Sequence, residues 1–332
     1  MVGAYIAGTG YHHPDRRVGN DEIASKIDSS DRWIRDHTGI VERRYAPDDV
    51  NTSDLGVLAT RNALERAEWA PDEVDLFVCA TSTPDCLIPP TASYICEKLN
   101  LRAVAFDLNA ACSGFLYGLS VTQGMMESQG YERAALCAAD KYSRVIDTSE
   151  RNSVLWGDSA GTVLLQRERP EVGAEIVDLV LENFNHGADL VKIPLGGHFW
   201  MDGPAVKKIA SKGFLESARH ILERNDLEPN DLRAFMAHQA NLRMLEALAE
   251  ELGLDPERHW HNVESCGNQG AAGVATTWCA GTERFADKLN DGDLFVMTVY
   301  GSGFTGGSAL LRWTDSHKAQ AAASPAATAA GQ

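Results

Sequence analysis

No stretch of this 332-residue chain is apolar for long enough to span a bilayer. Its start, Met1-Val-Gly-Ala-Tyr-Ile-Ala-Gly-Thr-Gly, has no basic lead and no apolar run of signal length, so it reads as a short strand and turn. Cysteine is sparse and unpatterned: seven residues, at 79, 86, 96, 112, 137, 266 and 279, with no C-x-x-C. An odd, scattered set excludes a disulfide framework and a paired-cysteine zinc site. It fits reduced thiols, so a cytoplasmic protein with no metal is expected. Basic residues are in deficit, with 30 Lys and Arg against 47 Asp and Glu and a net charge of −17. That balance argues against nucleic acid or an anionic membrane as a partner.

The length allows a large core, and 44% hydrophobic with 23% charged residues is a soluble globular composition. Apolar runs of strand length lie at 74–80, 103–108 and 133–139, and again at 176–181, 232–237, 293–300 and 308–313. Helical periodicity fills the intervals, at 52–68, 208–224, 241–252 and 270–288. Strand–helix alternation predicts an α/β fold with helices covering buried sheets. In each half a buried strand ends at a reactive-type residue that opens the next helix, Cys112 first and His238 second, which suggests a duplication. The halves are set at 1–170 and 171–314. Residues 315–332 are Ala-rich and without core pattern, and are expected to form a disordered tail.

Cys112 falls where strand pattern gives way to helix, among small residues in Asp107-Leu-Asn-Ala-Ala-Cys-Ser-Gly-Phe-Leu116. Unpaired N–H groups and the helix dipole there favour a thiolate nucleophile. A tightly packed structural cysteine suits the same stretch equally well. His238 ends another buried strand, Asn268 sits in Ser265-Cys-Gly-Asn-Gln-Gly270 before a helix, and Gly301-Ser302-Gly303 is a glycine turn. Cys, His and Asn at strand ends beside glycine turns form a recurring set for acyl chemistry: a thiolate attacks a carbonyl, and donors hold the developing oxyanion. A papain-like protease uses these residues in this order. The Cys-Gly-x-Cys-Trp context is missing, however, and the regular strand–helix duplication does not suit that class.

The motifs closely resemble those of the β-ketoacyl-acyl carrier protein synthase III family of thiolase-fold condensing enzymes. The matching blocks are Ala-Cys-Ser-Gly-Phe (111–115), His238-Gln-Ala-Asn-Leu-Arg243, Gly267-Asn268 and Tyr-Gly-Ser-Gly-Phe-Thr-x-Gly (300–307). Trp33-Ile-x-x-x-Thr-Gly-Ile-x-Glu-Arg-Arg44 and Trp156-Gly-Asp-Ser-Ala-Gly161 match further blocks. The resemblance implies a duplicated five-layer α-β-α-β-α thiolase-like fold and a homodimer. It implies that Cys112 takes an acyl group from acyl-CoA, a substrate rather than a cofactor. His238 and Asn268 then assist decarboxylation of a malonyl thioester on carrier protein or CoA, as in fatty acid or polyketide biosynthesis. The backbone N–H groups of Cys112 and Ser302 are the implied oxyanion hole. Trp33, His37 and Arg151 are implied at the CoA site, Ile88 at the acyl pocket across the dimer interface, and Lys208 and Arg243 at carrier docking.

Several positions depart from the family pattern. His37 replaces a usual Arg, Ile88 is smaller than the frequent Phe and suggests a longer or bulkier acyl group, and Gln269-Gly270 follow the Asn. Glu250-Glu251 stand where basic residues are usual, so an acidic carrier is expected to bind weakly; Lys207, Lys208 and Lys212 remain as a patch for it. These departures leave open a secondary-metabolism member that transfers its acyl group to an amine or hydroxyl, or condenses without malonyl. A non-catalytic partner subunit is the remaining alternative, although its usual mark, loss of the Cys or His, is missing.

Overall fold

The long strands send alternate side chains into two different cores, as a two-residue repeat demands when both sheet faces are covered. In the strand Arg133–Lys141, Ala134, Leu136 and Ala138 enter one core, and Ala135, Cys137 and Ala139 enter another. The computed structural model describes residues 3–184 and 187–323. Its principal strands are β1 (Tyr5–His12), β2 (Leu76–Ala80), β3 (Val104–Leu108), β4 (Arg133–Lys141), β5 (Asp158–Gln166), β6 (Val172–Asn183), β7 (Ala234–Ala237), β8 (Leu294–Gly301) and β9 (Thr305–Asp315). They form one sheet in the order β7-β8-β9-β6-β1-β5-β4-β2-β3.

Read outward from its middle, that sheet repeats itself. From β1 the order runs β5, β4, β2, β3, with two antiparallel pairings followed by two parallel ones. From β6 it runs β9, β8, β7, and then the parallel bridge between Phe235 and His259, with the same sequence of directions. The half-sheets join antiparallel at Tyr5↔Glu175 and Ile6↔Ala174. The sequence boundary near 170 falls between the end of β5 and the start of β6.

The principal helices are α1 (Asp31–Thr38), α2 (Thr52–Ala67), α3 (Thr91–Leu99), α4 (Gly114–Gln129), α5 (Gly203–Arg224), α6 (Leu242–Leu252), α7 (Ala272–Arg284) and α8 (Ser316–Ala323). Phe115, Leu116 and Leu119 of α4 share a core with Val274, Ala275 and Trp278 of α7 and with strand residues of both halves. Helices α2 and α3 cover the other face of the first half-sheet, where Leu55, Ala59 and Ile95 meet Phe77 and Cys79. Helices α5 and α6 cover the second, where Phe214, Ile221 and Leu245 meet Phe235 and Val296. Five layers, helix–sheet–helix–sheet–helix, follow.

Among the boundaries that differ from the sequence reading, two have a clear local cause. Helix α5 begins at Gly203 rather than 208, because the Asp202 carboxylate accepts from the Ala205 N–H at 3.1 Å and Pro204 fits the first turn. The tail expected to be disordered from 315 begins instead with the last residue of β9 and the helix α8. Its Ala-rich composition is helix-favouring, and the chain is held at its root. The Asp315 carboxylate accepts from the Lys318 N–H at 3.0 Å, while the Lys318 ammonium donates to the carbonyls of Ala286, Asp287 and Leu289. Residues 324–332 of that expected tail lie outside the described residues.

Candidate active site

After β3 the chain turns sharply before α4. Ala111 is held at φ 48°, a left-handed conformation unusual for a residue with a side chain. The Asn109 side-chain oxygen accepts from the Ala111 N–H at 3.0 Å and supports the turn. Cys112 follows in a single 3-10 turn that leads into α4. The closing loop after β8 packs directly against it. A Cβ on Gly301 would lie 3.0 Å from the Cys112 nitrogen and 2.9 Å from that of Ser113, so only glycine permits the approach. The Ser113 hydroxyl donates to the Thr305 carbonyl at 2.9 Å, and the Ser302 hydroxyl donates to the Val191 carbonyl at 2.5 Å. The 301–303 loop is thereby packed against the Cys112 turn.

His238 directly follows β7, its own N–H donating to the Thr298 carbonyl at 2.8 Å. Asn241 then caps α6, accepting from the Met244 N–H at 3.0 Å. Burial pushes the His238 imidazole down to about 4, against a smaller rise from a hydrogen bond to the Gly270 backbone, so the ring is neutral near pH 7. Its Nδ1 is buried with no hydrogen-bond partner among the described residues. Asn268 is fixed by backbone bonds to Leu155 at 2.7 Å and from Gly157 at 2.8 Å. Its side-chain oxygen accepts from the Gly270 N–H at 3.0 Å, which leaves the amide NH2 as a donor without an acceptor among the described residues.

Cys112, His238, Asn268, Gly301 and Ser302 all line one cavity of about 250 Å³. Its walls are otherwise largely apolar, with Trp156, Phe199, Phe214 and Phe304 prominent, and its mouth carries His37, Lys207 and Arg243. The thiol differs from its sequence expectation. Burial is the dominant influence and pushes it up to about 12, with the Asp140 charge adding to the rise. The Tyr142 hydroxyl and the thiol's own backbone N–H pull it the other way but do not prevail. Cys112 is therefore a thiol in the free protein, not the thiolate that a helix start favours.

The other expected residues divide by position. Trp33 lies outside the cavity lining, stacked 4.2 Å from His37 on one side, with the Arg151 guanidinium 4.9 Å from its ring centroid. Arg243 reaches back to the carbonyls of Asp36 at 3.2 Å and Arg35 at 3.1 Å, which ties the start of α6 to the end of α1. Lys208 is exposed on α5 and does not line the cavity, whereas its neighbour Lys207 does. Ile88 is 85% exposed and does not line it either.

Sequence reasoning missed the supports behind these groups. Asp140, at the end of β4, is wholly buried and pushed up to about 6 by desolvation. Its carboxylate accepts from Ser82 N–H at 2.8 Å, the Thr83 hydroxyl at 3.0 Å and Ala271 N–H at 3.0 Å. It thereby joins the 81–90 loop to the turn that carries Asn268. Gln269 bonds His13 at 3.0 Å, Asn262 at 2.8 Å and Thr276 at 2.9 Å, so this departure from the family pattern is a buried anchor. Tyr142, two residues after Asp140, packs behind Cys112. A polar or aromatic residue at the end of a buried strand, the signal that singled out His238, would have flagged both.

Two family models match the chain, both describing 3-oxoacyl-[acyl-carrier-protein] synthase III: one over residues 106–184 and its C-terminal counterpart over 222–313. A β-ketoacyl-[acyl-carrier-protein] synthase III of Helicobacter pylori is 36% identical over 325 residues, covering 93% of this chain and 97% of the relative. The crystal structure of 3-oxoacyl-[acyl-carrier-protein] synthase III from Aquifex aeolicus superposes with a TM-score of 0.87 at 32% identity, covering 93% of this chain and 100% of that one. The priming β-ketosynthase of the R1128 polyketide pathway superposes at 0.85 with 32% identity, covering 94% and 96%.

Proposed function

The chain belongs to the 3-oxoacyl-[acyl-carrier-protein] synthase III family of condensing enzymes, and from that premise we propose that it joins an acyl group held on Cys112 to a malonyl-type thioester. The observation that carries the reading is the convergence of Cys112, His238, Asn268 and the 301–303 turn on one cavity. Acyl transfer comes first. The Cys112 sulfur attacks the carbonyl of an acyl-CoA, the oxyanion is held by the N–H groups of Cys112 and Ser302, and CoA leaves with the thiol's proton. His238, a neutral imidazole lining the same cavity, takes that proton, and no resting ion pair is required.

In the second half-reaction a malonyl thioester enters the same cavity. The imidazole of His238 and the free NH2 of Asn268 bind its thioester oxygen, which becomes an enolate oxygen as carbon dioxide departs. The carbanion attacks the Cys112 thioester, and the sulfur leaves, with the 3-oxoacyl product on the acceptor. A buried neutral histidine can serve this step through its single N–H, a donor that needs no charged partner. The chain is accordingly an acyltransferase in its general chemistry. Malonyl-carrier protein and malonyl-CoA both remain as extenders. His37, Trp33 and Arg151 stack in series near the mouth, which supports a site for the CoA base. Lys207, Lys208 and Arg243 supply the positive charge an acidic carrier needs, against Glu250 and Glu251 exposed on α6.

A homodimer completes the proposal. Strand β3 is one edge of the sheet, with Val104 48% exposed, and Leu87 and Ile88 are exposed on the 81–90 loop. No described helix is long and apolar enough to cross a membrane, and the cytoplasm is the proposed location. The test is to acylate the protein, remove free donor, and add malonyl-carrier protein, malonyl-CoA or a small amine in separate reactions. Carbon dioxide release with a 3-oxoacyl product is expected from a malonyl donor. Acyl transfer to the amine with no carbon dioxide from either malonyl donor would replace condensation with simple acyl transfer.

A further inference from the structure

Three helices ring the cavity mouth: α1 through His37, α5 through Lys207 and α6 through Arg243. A protein that delivers the malonyl group has to seat on them, and an acidic carrier needs cations spread across that surface. On α1 and α6 the cations are already committed. Arg35 pairs with Asp31 at 2.8 Å, and Arg32 with Asp36 at 3.6 Å. Arg243 pairs with Glu246 at 2.8 Å besides donating to the carbonyls of Asp36 and Arg35, so every nitrogen of its guanidinium has an acceptor within the chain. On α5, Lys212 pairs with Glu216 at 3.3 Å. Lys207 and Lys208, exposed at the start of α5, have no ion pair among the described residues.

Away from the mouth the sign reverses. A groove between α5 and α6 adjoins the cavity, sharing Phe214 and Met244 with it, and Glu251 lines the groove. Glu250 and Glu251 are exposed about 10 Å along α6 from Arg243, and neither carboxylate has a cationic partner among the described residues. Arg219 of α5 donates to the Glu251 backbone carbonyl at 3.3 Å rather than to its carboxylate. Free positive charge is thus confined to the rim, and free negative charge lies where a docked protein would extend.

We propose that the extender reaches this site on coenzyme A rather than on a carrier protein, so that the second half-reaction takes malonyl-CoA and leaves 3-oxoacyl-CoA. This rests on the reading of Cys112 as the acylated nucleophile of a condensation. The malonyl carboxylate departs as carbon dioxide, and its electron pair forms the carbon–carbon bond to the acyl carbon. The Cys112 sulfur leaves as a thiolate and regains a proton from solvent. The phosphates of CoA are concentrated on one small nucleotide, which two free lysines at the rim can meet. The acidic face of a carrier is broader and would lie against Glu250 and Glu251. Exposed charges more than about 8 Å apart are largely screened at physiological ionic strength, so this contact surface decides the preference rather than the net charge of the chain.

The test uses the full-length protein with the acyl-CoA that labels Cys112, and compares kcat/KM for malonyl-CoA and for malonyl-loaded acyl carrier protein by carbon dioxide release. Malonyl-CoA is expected to be preferred at least tenfold, roughly the effect of like charges at a docking surface. The rate with the carrier is expected to rise as ionic strength rises, because screening relieves repulsion. The double variant Glu250→Lys, Glu251→Lys should raise kcat/KM for the carrier about tenfold and leave malonyl-CoA within ~2-fold of native. Both positions are exposed near the end of α6, where lysine suits the helix dipole; should the variant nevertheless not fold, the ionic-strength series on the native protein stands alone. A carrier used as well as malonyl-CoA, a carrier rate that falls with ionic strength, or an unchanged carrier rate in the folded variant overturns the inference and leaves condensation intact. No carbon dioxide from either donor removes the condensation reading, and this inference with it.

Discussion

Cys112 is a thiol held above its ordinary pKa, up to about 12, chiefly by desolvation and then by the Asp140 carboxylate beneath it. Its reactivity in the free protein should therefore track hydroxide. Alkylation of Cys112 by iodoacetamide, followed by peptide mass, is expected to accelerate throughout pH 7 to 9.5 without levelling off. A plateau below pH 8 would show a stable thiolate–imidazolium pair and contradict this account of the resting site. In the proposed mechanism Asn268 acts on a different half of the chemistry. Asn268→Ala should leave formation of the Cys112 adduct nearly intact while lowering carbon dioxide release roughly 100-fold or more, the usual cost of losing one preorganised donor. An equal loss in both steps would mean that Asn268 supports the nucleophile rather than the enolate.

Elements matter here because they converge. The turn before α4 and the loop after β8 meet only because Gly301 has no side chain. Gly301→Ala would push a methyl group to 3.0 Å from the Cys112 nitrogen, displacing the N–H groups proposed as the oxyanion hole. Acylation is expected to slow roughly 100-fold with an unchanged circular dichroism spectrum; a rate within threefold of native would remove this turn from the machinery. Much of this convergence was legible in the sequence. Apolar strands ending in Cys112, His238 and the 301–303 glycines carry their own signal, since strand periodicity stops where reactive residues begin. The duplicated sheet order was legible only in outline, because pairing is decided by non-local contacts that no local pattern records. Supports such as Asp140 and Tyr142 were not singled out, and Gln269 stood out only as a departure from the family pattern, since a buried side chain's partners come from distant segments. The root of α8 was missed for another reason: an Ala-rich run is equally plausible as tail or helix until Lys318 finds carbonyls to bind.

The molecule as a whole buries ionisable groups of both signs, and their effects on stability oppose each other. His13, His238 and His259 are each pushed down to about 4 by burial, so the unfolded chain takes up their protons first as pH falls from 6.5. That uptake favours unfolding in acid. Asp140 and Asp158, pushed up to about 6 by burial, hold protons in the folded state that the unfolded chain releases, which favours folding over the same range. These three histidines outweigh the two carboxylates, which leaves a net proton uptake on unfolding between pH 5 and 6 and a stability that falls as the pH falls. Urea unfolding should accordingly give a lower free energy at pH 5 than at pH 6, and a higher value at pH 5 would contradict these assignments. The account's central claim is that this fold delivers an acyl group to one sulfur. Its most direct measurement is intact mass of the full-length protein after incubation with acetyl-CoA, compared with Cys112→Ala. A single acetyl adduct located to the Cys112 peptide and missing from the variant is predicted. An adduct of equal yield on Cys112→Ala, or none on the native protein with any acyl thioester, would contradict it.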